Sequence, residues 1–176
     1  MLNNSKLRFK LSVIIALGTI GAIALSQGPS KAEGTHQSEE HEFKVVEYVN
    51  WLSNPWGMAF LPNGDILVTE KRKKQLRIIR NGKLDESPIT GLPKNIDTGG
   101  QGGLLDVTIH PNFKENNLVY FSYSGKGKGG KGTEVARGKL SGNKLENVET
   151  IFKVSPKTSG SHHYGSRLQF AKDGTL

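Results

Sequence analysis

From Phe43 onward apolar and polar positions alternate in short runs, and each run is closed by a turn signal. Pro55–Phe60, then Leu61-Pro62-Asn63-Gly64, then Asp65–Thr69 reads as strand, turn, strand, because Asn-Gly takes the positive φ angles that a tight hairpin needs. Gln75–Arg80 predicts another strand and ends at Asn81-Gly82. The pattern returns at Gly103–Phe113 with Leu118–Tyr123, and again at Gly165–Leu176, where Asp173-Gly174 marks the turn. Phe43–Val49 also predicts a strand, with apolar residues at 43, 45 and 49. No segment carries the 3.6-residue period of an amphipathic helix.

The repeats define the fold class. Phe60, Ile109 and Phe170 occupy equivalent positions, 49 and 61 residues apart. Several short strands recurring near this interval are the signature of an all-β β-propeller, whose four-stranded blades cover one another's faces. Residues 43–176 hold about the first two and a half blades, the third represented by its opening strand. Ser124–Gly132, SGKGKGGKG, predicts a flexible loop, since Gly and Lys are poor strand formers. Residues 155–161 predict a second loop, which leads directly to His162-His163.

The N-terminus is different in kind. Lys6, Arg8 and Lys10 precede the apolar run Leu11–Leu25, and Ser30-Lys31-Ala32 offers small residues at a cleavage site. Residues 1–32 therefore predict a secretory signal peptide cut after Ala32, because a run of 15 residues is short for a bilayer span. Export to the periplasm or the extracellular space, with no stable membrane span after cleavage, is the expected outcome. Residues 33–42, EGTHQSEEHE, predict a flexible leader whose His36 and His41 are solvated. The absence of cysteine excludes disulfides, thiolate metal sites and a lipidated Cys anchor. The net charge of +8 falls to +4 once Lys6, Arg8, Lys10 and Lys31 are removed, as residues 1–32 contain no acid. Lys71-Arg72-Lys73-Lys74 then reads as a solvated turn, and nucleic acid is not a partner.

Candidate chemistry gathers in two places. His163 follows a Gly/Ser loop and precedes a strand, with Arg167 four residues on. On an extended segment both would face one side, where an imidazole suits proton removal near neutrality and a guanidinium can orient an anion. Gln101 lies among Gly99, Gly100, Gly102 and Gly103, and its amide can donate to and accept from a sugar hydroxyl. Asp106 begins the next strand and faces either the channel or a neighbouring turn. His110-Pro111 takes the place of Leu61-Pro62 in the first unit, which assigns His110 a structural role.

The stretches GQGGLLDVTIHPNFKENNLVYFSYS, TEVARGKL and HYGSRLQF, with NPWGMAFLPNGDILVTEK before them, resemble the soluble pyrroloquinoline quinone (PQQ)-dependent sugar dehydrogenases. This is the glucose/sorbosone dehydrogenase family, and the aldose sugar dehydrogenase branch is the most similar. The resemblance runs from about Val45 to Leu176. It implies a six-bladed propeller that binds PQQ and calcium and oxidises the C1 hydroxyl of an aldose sugar to a lactone. It implies His163 as the catalytic base, Gln101 and His162 as substrate-binding residues and Arg167 as cofactor-binding, with no metal ligand assigned in this chain. An external electron acceptor would complete the cycle. Some members carry aspartate where His162 stands, which bears on sugar specificity. The later blades, which would supply most cofactor contacts, are not represented. The alternative function is a non-catalytic propeller fragment or binding module.

Overall fold

A computed structural model describes residues 34–176. The segment read as a signal peptide, with its cleavage site, lies outside the described residues. The described residues fall into two units, one ending at Val45 and the other beginning at Val46.

In the first unit β1 (Gly34–Gln37) and β2 (Glu42–Val45) pair antiparallel. The Ser38 hydroxyl closes the turn, donating to the His41 carbonyl at 2.9 Å and accepting from its amide at 3.0 Å. His36 stacks on Phe43 across the pair, with ring centroids 5.5 Å apart. The stretch expected to be a flexible leader is thus a hairpin, and the strand expected over Phe43–Val49 ends at Val45. Every residue of both strands is exposed, so local pairs alone hold this hairpin, a marginal arrangement in water.

The second unit contains two four-stranded antiparallel meanders. The first comprises β3 (Pro55–Phe60), β4 (Ile66–Glu70), β5 (Gln75–Arg80) and β6 (Lys83–Leu84), in sheet order β3-β4-β5-β6. Asn81 and Gly82 sit at φ 50° and 72°, the two positive angles of the hairpin turn their sequence predicts. The second comprises β7 (Leu104–Ile109), β8 (Leu118–Gly127), β9 (Gly130–Ser141) and β10 (Lys144–Lys153), again in sequential order. A single helical turn, α1 (Phe113–Asn116), joins β7 to β8.

The sheets pack through one apolar interface. Leu67, Leu76 and Ile78 of the first meet Leu104, Val107, Phe121 and Tyr123 of the second, joined by Ile89 and Ile96 from the connecting segment. Each such side chain contributes about 1.5–3 kcal/mol on full burial. The inner strands are stitched as well: the Thr69 hydroxyl donates to the Leu105 carbonyl at 2.6 Å. On the other face of the first sheet Ile66, Val68 and Ile79 pack, among the described residues, against the partly buried Val49, Leu52 and Leu84. That face leaves Trp56, Met58 and Phe60 exposed beside an apolar recess of about 610 Å³.

The Gly/Lys run departs from the expected loop. β8 and β9 remain in register to Gly127 opposite Gly130, so only Lys128-Gly129 form the turn. Main-chain partners on both sides impose this. Lys126 N–H donates to the Asn95 carbonyl at 2.9 Å, and Lys131 exchanges hydrogen bonds with Thr158 at 2.8 and 3.1 Å. These contacts override the low strand propensity of the residues.

The third unit also differs from expectation: residues 165–176 form no strand. Its turn nevertheless reproduces that of the first unit. Gly174 N–H donates to Ala171 and Ala171 N–H to Thr175, as Gly64 does to Leu61 and Leu61 to Asp65. The segment is tied back by Phe170, which meets Tyr120 edge-on at 5.1 Å and His110 at 5.5 Å. His110 Nδ1 accepts from the Asn112 amide at 3.0 Å, so His110 caps the β7–β8 connection.

Candidate functional site

The polar residues singled out by sequence lie on two segments, the loop 97–103 before β7 and the extended segment 161–168. Gln101 joins them. Its amide donates to the Ser161 carbonyl at 2.8 Å, and its side-chain oxygen accepts from the His163 amide at 2.8 Å, across 62 residues of sequence. The approach is close enough that a Cβ on Gly100 (φ 59°) would overlap the Ser161 carbonyl. Glycine there serves contact as well as turning.

Segment 161–168 is not a regular strand. His163 and Ser166 have φ of 61° and 103°, so the two-residue alternation that would set His163 and Arg167 on one side does not apply. Blade side chains grip its main chain instead. Thr133 Oγ1 donates to the Tyr164 carbonyl at 2.7 Å, and Ser122 Oγ to the Ser166 carbonyl at 3.1 Å. The Asp106 carboxylate accepts from the Leu168 amide at 2.8 Å and from Arg167 Nη1 at 3.1 Å. The structure therefore brings His163 to Gln101, and Arg167 to Asp106.

The rings of His162 and His163 are both exposed, with centroids 6.2 Å apart. His162 Nδ1 lies 3.3 Å from the Ser161 hydroxyl. Among the described residues neither ring nitrogen of His163 has a hydrogen-bond partner. Beyond it, a concavity of about 480 Å³ is lined by Trp56, Asp106, Gly165, Ser166 and Arg167. Lys71 Nζ lies 4.1 Å over the Trp56 ring, a cation–π contact. Burial and the adjacent Arg72 lower the Lys71 pKa. Arg72 Nη1 donates to the Thr98 carbonyl at 2.8 Å, so the basic run is docked at its first two residues.

Two buried carboxylates anchor these segments from behind. Asp97 receives Lys131 at 2.9 Å, Lys126 at 3.0 Å and the Gly99 amide at 3.0 Å. The Lys131 hydrogen bond above all holds its pKa down to about 2, against the opposing effect of burial. Glu134 receives Lys157 at 2.6 Å and the Tyr123 hydroxyl at 2.8 Å. Burial alone would raise its pKa, but the hydrogen bonds from Lys157, Tyr123 and Asn95 bring it down. Tyr123 itself is pushed up, chiefly by burial. Sequence reasoning passed over Asp97, Glu134, Lys131 and Lys157, because lysines in a Gly-rich run read as solvated. Among the described residues no group of three or more His, Cys, Asp or Glu side chains forms a metal cluster. None of their helices is long and apolar enough to cross a membrane.

Two blade-like meanders sharing an apolar interface, with polar loops gripping a third segment beside it, define part of a β-propeller. Comparison with known proteins agrees. The sequence profile described as Glucose / Sorbosone dehydrogenase matches residues 52–176, and the chain belongs to that family. Aldose sugar dehydrogenase YliI of Escherichia coli (strain K12) is 39% identical over 128 residues, covering 71% of this chain and 34% of the relative. A crystal structure of a glucose dehydrogenase superposes with a TM-score of 0.69 at 38% identity, covering 73% of this chain and 38% of that one. The PQQ-bound form of an aldose sugar dehydrogenase from Streptomyces coelicolor superposes with a TM-score of 0.58 at 26% identity, covering 70% and 36%. The chain thus spans between a third and two fifths of the length of these relatives.

Proposed function

We propose that this chain contributes the proton-accepting and sugar-holding part of a quinoprotein aldose dehydrogenase that oxidises the C1 hydroxyl of an aldose to a lactone. The observation that carries the reading is the direct hydrogen bond between Gln101 and His163, residues to which the family resemblance assigns sugar binding and proton transfer. The exposed His163 ring, without a protein partner among the described residues, takes the C1 hydroxyl proton, a role imidazole fills near neutral pH. Bound PQQ supplies the acceptor for the C1 hydride. Loss of hydride and proton together leaves the lactone carbonyl. His162, beside His163, contacts the sugar.

The residues present fit one side of an anionic, planar cofactor. Arg167 is 78% exposed and uses one guanidinium nitrogen on Asp106, which leaves donors for a carboxylate. The exposed Trp56 ring borders the same concavity, and the Lys71 ammonium lies over that ring. Calcium would be held by carboxylate and carbonyl oxygens, and among the described residues no group of three or more His, Cys, Asp or Glu side chains converges to hold it. An external electron acceptor would be needed to return the cofactor to its oxidised form. Residues 1–32 direct export to the periplasm or the extracellular space, and N-terminal sequencing of the secreted protein should begin at Glu33.

The test is dye-linked oxidation of glucose and other aldoses by the PQQ-reconstituted holoprotein. His163→Gln is expected to lower turnover about 10²–10⁴-fold, the usual contribution of a general base. Full turnover in that variant would move the base elsewhere, with His162 the next candidate.

A further inference from the structure

We propose that Gln101 is a positioning residue whose side-chain oxygen holds the backbone of His163. This rests on the reading of His163 as the proton acceptor. Gln101 takes hold of the chain on both sides of His162. Its own amide reaches the Ser161 carbonyl, and its Oε1 receives the His163 amide, both at 2.8 Å. One residue thus offers a donor and an acceptor to a neighbouring chain, as a β-strand residue does, but with a side-chain oxygen in place of a carbonyl.

The grip matters because of the conformation it secures. His163 has φ 61°, a left-handed region that residues with a Cβ adopt sparingly and that persists where surroundings over-determine it. The alternatives are extended and helical backbones, and either would re-aim the imidazole. Gln101 is the partner of the His163 amide among the described residues. The hydrogen bond also fixes the side-chain amide's orientation, since a backbone N–H must meet the oxygen and not the nitrogen. Nε2 then remains as the group that can donate outward. Gln101 divides its work between an inward acceptor that sets the base and an outward donor open to ligand.

Glutamate at this position keeps the acceptor and removes the donor, whereas alanine removes both. Amide hydrogen exchange, followed by NMR on the full chain without cofactor, reads the clamp directly. In Gln101→Ala the His163 amide is expected to exchange about tenfold faster, the effect of one lost hydrogen bond. Gln101→Glu should retain protection. The Leu168 amide, held independently by Asp106 at 2.8 Å, should be unchanged in both and serves as the folding control. Unchanged His163 exchange in Gln101→Ala would overturn the proposal. Loss of protection at Leu168 as well would also overturn it, by showing a segment-wide role in place of a local clamp. In the holoprotein Gln101→Ala should lower kcat, and Gln101→Glu should recover kcat while KM stays raised. A KM change alone in Gln101→Ala would remove the positioning role. If His163→Gln keeps full turnover while the exchange result holds, the assignment of the base fails and the clamp stands.

Discussion

Asp106 ties Arg167 and the Leu168 amide to β7, one carboxylate oxygen to each, at 3.1 and 2.8 Å. The carboxylate is 4% exposed and the guanidinium 78%. The pair's contribution therefore comes from satisfying a buried acceptor more than from attraction across solvent. Arg167→Met should destabilise the chain by about 1–2 kcal/mol. Adding Asp106→Asn should cost little more, since the neutral amide needs no cation. Urea melts of the three proteins check this. An Arg167→Met variant as stable as the parent would mean that water replaces the guanidinium.

Lys157 and Glu134 form the more demanding pair, because both side chains are nearly buried, at 10% and 2% exposure. Lys157→Met leaves a carboxylate buried without its cation and should cost about 3–5 kcal/mol. The double variant with Glu134→Gln should recover most of that loss. A double variant no better than the single would show that the two residues act independently.

Acid should loosen the loop that carries Gln101. The Asp97 carboxyl is held at about 2 in the folded chain, against an ordinary value of 3.8. A depressed folded-state pKa gives stability that is fully present above the ordinary value and is lost as pH falls through the folded one. Stability should therefore drop by about 2 kcal/mol between pH 4 and 2 on account of this group. Asp97→Asn should flatten that part of the profile, as measured by denaturant titrations at each pH.

Tyr164 offers a substitution of opposite sign. Its hydroxyl is buried without a hydrogen-bond partner among the described residues, a costly state for a polar atom. Tyr164→Phe should leave the segment in place and raise stability by about 1 kcal/mol. A lowered thermal midpoint would reveal a partner for the hydroxyl.

Much of this architecture was legible because it is local. Alternation and Asn-Gly turns located β3, β4 and β5, and the repeat aligned Phe60 with Phe170, whose following turns share the same hydrogen bonds. The misreadings came where distant groups decide. Lys126–Gly132 is a hairpin because Asn95 and Thr158 pair with its edges, and no window of glycines and lysines shows that. The site was half legible. His163 and Gln101 stood out by residue type and loop context, and the structure joins them. The expected partnership of His163 and Arg167 assumed a strand, which the positive φ of His163 and Ser166 interrupts. Asp106, left open between two orientations, proves to be the partner of Arg167.

The first sheet's outer face should make the chain associate. Met58, Phe60 and Trp56 are 52%, 63% and 53% exposed around an apolar recess, and contiguous patches of this kind drive contacts in water. Sedimentation velocity is expected to show concentration-dependent association, weakened by Met58→Lys and Phe60→Glu together. A monomer at all concentrations would refute this.

Ser122, Thr133 and Asp106 recognise the stretch after Ser161 by its peptide groups at Tyr164, Ser166 and Leu168. Such recognition is indifferent to the side chain displayed at 162, whereas Gly165, at φ 62°, is held to glycine by its backbone. The stretch is consequently a cassette. Its exposed chemistry at His162 can be rewritten while the address that seats it stays the same.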